Sequence, residues 1–123
     1  VVYEAVDPDN PATLSAAVIE TVIRQQIGFQ GLLMSDDISM GALQSAMPQR
    51  VASAISAGCD VVLHCNGLMD EMQDVAANVP ALDGLALARA NAALAARKTP
   101  VTLDEAAVRA ELASLLATVG WEA

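Results

Sequence analysis

The sequence predicts an α/β protein with a parallel sheet, organised as the C-terminal portion of a (β/α)8 barrel. Three observations predict it. Short apolar runs alternate with helical periodicities in the order strand, helix, strand, helix, strand, which is the pattern of parallel crossovers. The run Gly31-Leu32-Leu33-Met34 reads as a strand buried on both faces, and it stops on Ser35-Asp36-Asp37, at the carboxyl edge where α/β enzymes expose catalytic groups. Finally, 123 residues supply only three strands with open apolar edges, about half of the ~250 that a closed barrel needs.

Residues 1–5 read as the end of a strand, leaving into Asp7-Pro8-Asp9-Asn10-Pro11, a loop by composition. A helix follows with Thr13 or Ser15 as N-cap. Its Val18, Ile19, Val22, Ile23 and Ile27 share one face, and Gly28 stops it, with Phe29 folding back. After the strand at residues 31–35 the stretch 40–47 is ambiguous, because Gly41 weakens any helix there. Pro48 suits the first turn of a helix that runs to Gly58. Residues 59–65, Cys-Asp-Val-Val-Leu-His-Cys, form the third strand, ended by Asn66-Gly67. Helices over 68–77, 82–97 and 103–118 complete the chain, the last with Thr102 and Glu105 as a capping box. The strands near 1–5, 31–35 and 60–65 are expected to pair in parallel, with the second in the middle.

Composition narrows the function classes. The chain is 54% hydrophobic but 2% aromatic, so Ala, Val, Leu and Ile must fill its interior. Fifteen acidic residues against six basic ones give a net charge of −9, which leaves no basic stripe for a nucleic-acid backbone. No apolar run approaches the ~20 residues that cross a bilayer, so no membrane partner is expected. Cys59 and Cys65 lack metal spacing and read as buried free thiols of a reducing compartment. The first residues, Val1-Val2-Tyr3, carry no initiator Met and no basic leader, so a piece of a longer protein is expected.

The run from Val22 to Ser39 resembles the active-site signature of glycoside hydrolase family 3. That signature is two aliphatics, a basic residue, a gap to Gly, three apolar residues, Ser or Thr, Asp, and a small residue. Here these are Val22, Ile23, Arg24, Gly31, Leu32, Leu33, Met34, Ser35, Asp36 and Ser39, with no insertion or deletion. Asp37 stands where the family's β-glucosidases place Trp, and Asp37-Ile38-Ser39-Met40 resembles the β-N-acetylhexosaminidase branch. Pro11-Ala12-Thr13-Leu14-Ser15 is similar to the segment after that branch's sixth strand, and Ala57-Gly58-Cys59-Asp60 to its eighth. Residues 1–123 are thereby placed as the C-terminal segment of the catalytic barrel, from the end of strand six onward. The resemblance implies a retaining hydrolase that removes terminal β-N-acetylglucosamine. Its substrates would be N-acetylglucosaminyl-anhydromuropeptides or chito-oligosaccharides, handled in the cytoplasm during peptidoglycan recycling without a cofactor.

The acidic pair then has a chemistry. A retaining glycosidase needs one carboxylate to attack the anomeric carbon and an acid at the leaving oxygen. By the resemblance Asp36 is the nucleophile. Asp37 points to the other side of the strand and is expected to fix the loop or a neighbouring donor, with Ser35 and Ser39 in support. Ser39 either caps the next helix or bonds Asp36; Met40 either packs under the loop or touches substrate. Two other readings of Asp36 stand beside this one: a helix N-cap after a strand, and an Asp36–Asp37 Mg²⁺ site for which no third oxygen ligand can be identified. The branch's acid/base is a histidine paired with aspartate on an early barrel loop. His64, placed inside the third strand, has no matched motif and reads as locally bonded or lining the pocket rim. On residues alone, a non-catalytic assembly piece and a small acidic metal-binding α/β module remain as other functions.

Overall fold

The computed structural model describes residues 1–121 and shows an α/β chain with two small sheets of two strands each. The first sheet corrects the sequence-based expectation. β1 (Val2–Tyr3) pairs antiparallel with β2 (Asp7–Pro11), the segment read as a loop, and does not join the parallel sheet. The chain reverses over residues 3–6, where the Val6 N–H donates to the Tyr3 carbonyl at 2.8 Å, and the Ala12 N–H closes the ribbon on the Val1 carbonyl at 2.8 Å. Pro8 and Pro11 donate nothing to a ladder, so the segment suits a ribbon and not a central strand.

Ser15 joins this hairpin to the first helix, Ala17–Gln26. Its fully buried hydroxyl donates to Asp7 Oδ2 at 2.6 Å and accepts from the Val18 N–H at 3.1 Å, in the manner of an N-cap. The helix is wound with π-type bonds, ending in Ile27 N–H to Val22 carbonyl at 2.8 Å. That wider winding rotates later residues off the 3.6-period face: Val18 and Ile19 are buried, whereas Ile27 is 69% exposed. Gly28, at φ +74°, releases the chain where other residues would be strained.

Phe29 turns back onto the Arg24 guanidinium, 5.5 Å from ring centroid to Cζ. Its ring lies so close to Gly31 that a Cβ there would sit 2.7 Å from a ring carbon. Arg24 also donates to the carbonyls of Phe29 (2.9 Å) and Gly31 (2.8 Å), which aims the chain into β3 (Met34–Asp37).

β3 pairs in parallel with β4 (Val61–Leu63), in the register Met34 with Val61 and Asp37 with Leu63, with an irregularity between them. β3 begins at Met34, three residues later than the strand expected at 31–35, and runs on through Asp36 and Asp37; β4 is shorter than the expected 59–65, and His64 and Cys65 lie beyond its end. β3 has one neighbour strand, so Met34 is 51% exposed where burial on both faces was expected. Cys59 is buried as expected, but Cys65 is exposed, because the strand ends before it.

α1 (Met47–Ala57) begins on Pro48 in its first turn and ends at Gly58, φ +114°. It packs Ala54 and Ala57 on Ile19 and Cys59, and Val51 on Ile38 and Leu43. α2 (Met69–Asn78), α3 (Gly84–Ala95) and α4 (Glu105–Thr118) follow. α4 is capped by Asp104, whose Oδ1 accepts from the Ala107 N–H at 3.0 Å; the Thr102–Glu105 capping box is replaced. No residue of α2, α3 or α4 is fully buried.

The base of the parallel pair is held by charge. The Asp60 side chain is 6% exposed and accepts from Arg24 and Arg89 at 2.8 Å each and from the Leu33 N–H at 2.8 Å. Burial raises the Asp60 pKa, but the Leu33 N–H, Arg89 and Arg24 outweigh it and hold the carboxyl below its ordinary 3.8. A depressed native pKa means stability present above the unfolded value and lost as pH falls through the native one. Asp60→Asn strands two largely buried arginines and is expected to cost ~3–5 kcal/mol. Urea unfolding followed by far-UV circular dichroism checks this, and a midpoint unchanged at pH 7 refutes it.

Candidate functional site

The sequence places Ser35, Asp36, Asp37, Ser39 and Met40 at the carboxyl end of β3, and the structure brings the end of β4 beside them. Ser35 is buried and bridges the strands: its hydroxyl donates to the Asp36 carbonyl at 2.7 Å and accepts from the Leu63 N–H at 2.9 Å. Alternation along the strand then turns Asp36 outward. Asp36 is exposed, and its Oδ1 accepts one bond, from the Asp37 N–H at 2.8 Å. It lines a shallow cavity of about 150 Å³ with Thr13, Leu33, Met34 and Ser35. Among the described contacts Asp36 has no ion-pair partner, so one carboxylate oxygen is free to act.

Asp37 is engaged in a different way. Its Oδ1 accepts from the Ser39 N–H at 2.9 Å, the Ser39 hydroxyl at 2.7 Å and the Cys65 N–H at 3.1 Å. Oδ2 lies 2.7 Å from the same hydroxyl. The Ser39 hydroxyl is the main reason the Asp37 carboxyl is held below its ordinary 3.8, with the Ser39 and Cys65 N–H groups adding to it. Asp37 therefore stitches the loop after β3 to the loop after β4. Ser39 neither caps α1 nor bonds Asp36, because Asp37 takes both of its donors. Loss of water contact, then the Asp37 and Asp36 carboxylates, push the Cys65 thiol above its ordinary 9.0.

Met40 is half-buried on the loop that follows. Its carbonyl accepts from the Leu43 N–H at 3.1 Å and from Arg50 at 3.2 Å. Arg50 also donates to the carbonyls of Ile38 (2.9 Å) and Ser45 (2.6 Å), gathering the whole loop onto the start of α1. Sequence reasoning missed Arg50. Its only signal is a cation in the first turn of a helix, where the helix itself does not favour positive charge.

His64 is not part of the strand. Its side chain is 7% exposed, and Nε2 lies 2.8 Å from Glu71 Oε2 in the first turn of α2. The same oxygen accepts from Asn66 Nδ2 at 2.6 Å. The His64 and Asn66 bonds hold the Glu71 carboxyl below its ordinary 4.5. Neither Glu71 nor Asn66 was singled out from the sequence, since their partners lie five to seven positions apart across a glycine turn. Among the described residues no group of three or more His, Cys, Asp or Glu is placed to hold a metal ion. No helix among them is long and apolar enough to cross a membrane.

The chain is similar to known proteins in sequence and in fold. Residues 1–99 match the family model described as the glycosyl hydrolase family 3 N terminal domain. The chain is 35% identical over 107 residues to the beta-hexosaminidase of Idiomarina loihiensis, which covers 85% of this chain and 32% of that protein. It is 45% identical over 92 residues to the beta-hexosaminidase of Stenotrophomonas maltophilia strain R551-3, covering 69% of this chain and 27% of the relative. Among solved structures, a family 3 beta-N-acetylglucosaminidase from Paenibacillus sp. superposes with a TM-score of 0.61 at 25% identity, over 85% of this chain and 23% of that one. Zinc-bound CbsA from Thermotoga neapolitana superposes with a TM-score of 0.65 at 27% identity, over 81% and 25%. The chain thus spans a third or less of the length of each of these proteins.

Proposed function

Because this chain belongs to glycosyl hydrolase family 3, we propose that it forms the C-terminal portion of the (β/α)8 barrel of a longer β-N-acetylhexosaminidase and carries that enzyme's nucleophile, Asp36. The observation that carries the reading is the division of labour between adjacent carboxylates. Asp37 accepts from three donors that tie it to two loops, while Asp36 stands exposed at the carboxyl end of a parallel strand with one bond from a neighbouring N–H.

In the mechanism this supports, a carboxylate oxygen of Asp36 attacks the anomeric carbon of a terminal β-N-acetylglucosamine residue. The glycosidic bond breaks, and its electron pair leaves with the aglycone oxygen, which takes a proton from a general acid. Water then attacks the glycosyl ester, giving up a proton to the same group acting as base and releasing Asp36. That acid/base is assigned to the early barrel loop supplied by the rest of the protein, since His64 lies after β4 and matches no motif of that loop. Met40, on the loop beyond the nucleophile, is assigned to the wall of the sugar site. Anhydromuropeptides or chito-oligosaccharides, and a cytoplasmic place in peptidoglycan recycling, complete the reading by analogy with the family branch.

Trapping decides it. A 2-fluoroglycosyl inactivator added to the longer protein is expected to esterify Asp36, seen as a mass increment on the peptide spanning β3. A stable adduct on Asp37 overturns the assignment.

A further inference from the structure

The bonds around Cys65 form a chain that ends on the nucleophile. Glu71 Oε2 accepts from His64 Nε2 at 2.8 Å and from Asn66 Nδ2 at 2.6 Å, and these two residues flank Cys65. The Cys65 N–H donates to Asp37 Oδ1 at 3.1 Å, and the Asp37 N–H donates to Asp36 Oδ1 at 2.8 Å. We propose that Glu71 is a positioning residue: by pinning His64 and Asn66 it fixes the Cys65 peptide against Asp37 and so sets the orientation of the Asp36 carboxylate. The proposal rests on the reading of Asp36 as nucleophile.

Three features of the cluster support it. A carboxylate only accepts, so the bond to His64 Nε2 is made with that nitrogen carrying a proton, and the imidazole's tautomer follows from its partner. His64 is almost fully covered, so its ring cannot drift without breaking the pair. Asn66 is held at both ends, because its Oδ1 accepts from the Leu68 N–H at 2.9 Å while its amide reaches Glu71. Gly67, at φ +73°, provides the turn that brings the start of α2 over the loop. The Cys65 N–H is therefore fixed from both sides, and Asp37, with three donors converging on Oδ1, transmits that placement to the backbone of β3.

A single oxygen of Glu71 takes both bonds, so the negative charge is dispensable so long as an acceptor remains. Glu71→Gln should keep kcat within about threefold of wild type in the longer protein. Glu71→Ala should lower kcat about 10- to 100-fold with KM within about twofold, because a displaced nucleophile hurts the transition state more than ground-state binding. Glu71→Asp, which shortens the reach by one methylene, should fall between them and serves if the alanine variant unfolds at the assay temperature. In an Asp37→Ala background, Glu71→Ala should lower kcat less than about threefold further, because both act through one peptide.

The measurements are kcat and KM on an aryl N-acetylglucosaminide, with thermal unfolding of each variant. A wild-type kcat in Glu71→Ala, a loss confined to KM, or full additivity with Asp37→Ala overturns the proposal. Turnover surviving in Asp36→Ala overturns the nucleophile reading and this proposal together, whereas dependence on Asp36 with indifference to Glu71 overturns the proposal alone.

Discussion

Asp36→Ala in the longer protein is expected to lower turnover of an aryl N-acetylglucosaminide by on the order of 10⁴-fold or more, the scale at which losing one member of a covalent catalytic unit registers. Asp37→Asn should leave activity measurable. The two residues are adjacent, carry the same group and belong to the same strand, so a large difference between them cannot come from charge alone. It comes from what each carboxylate already bonds. Ser39 and Cys65 hold Asp37 through three donors on Oδ1, while Asp36 accepts a single bond beside the cavity at the sheet edge. The amide introduced by Asp37→Asn keeps one acceptor for Cys65 and Ser39, and a weakened stitch slows the enzyme without removing its nucleophile. Initial rates on the two variants, with burst amplitude on a dinitrophenyl glycoside, check the difference. Equal losses in both place the chemistry on the pair and not on Asp36.

The isolated chain is expected to associate, and to release no chromophore from the same substrate. The parallel sheet has two strands, so the far edges of β3 and β4 present unpaired backbone groups. The C-terminal helices add apolar surface with nothing against it: Leu94 is 61% exposed, Leu112 55% and Leu115 59%. Contiguous apolar area beyond a few hundred Å² drives association. In the proposed barrel the missing strands and helices cover these surfaces, which makes the assembly partner the remainder of the protein or, in its absence, another copy. Sedimentation velocity reads the outcome directly. A monodisperse particle of 12.7 kDa with sharp thermal unfolding refutes it. Loss of the acid alone costs ~10²–10⁴-fold in rate, before any lost sugar contact is counted. Turnover near that of an intact enzyme would place a second acid in this chain and point to His64.

The sequence by itself determined the family, the alternation of strand and helix from Gly31 onward, and the breaks at Gly28, Pro48 and Gly58. These are local properties. A φ of +74° or +114° admits glycine far more readily than other residues, and Pro in a first helical turn sacrifices no bond. The signature from Val22 to Ser39 was legible because Arg24, Gly31 and Ser35-Asp36 serve one compact unit, in which Arg24 caps the carbonyls that lead into β3.

Other features were decided by the tertiary structure. Residues 7–11 read as a loop because Pro and Asp dominate them, and they became a strand because the turn at residues 3–6 lays them against Val2–Tyr3. Ile27 kept the right spacing for burial and lost it to a π-type winding that no side-chain pattern announces. Thr102 and Glu105 satisfied a capping rule, yet the helix starts at Glu105 and Asp104 accepts from its orphan Ala107 N–H. The couplings of Asp60 with Arg24 and Arg89, of Arg50 with the loop carbonyls, and of Glu71 with His64 and Asn66 link groups whose separation along the chain carries no periodic signal. Their energies depend on distance and burial, which exist only after the strands have paired: a carboxylate at position 60 becomes an anchor for two arginines, and one at position 36 stays exposed with a single bond, through the neighbours that folding brings to each.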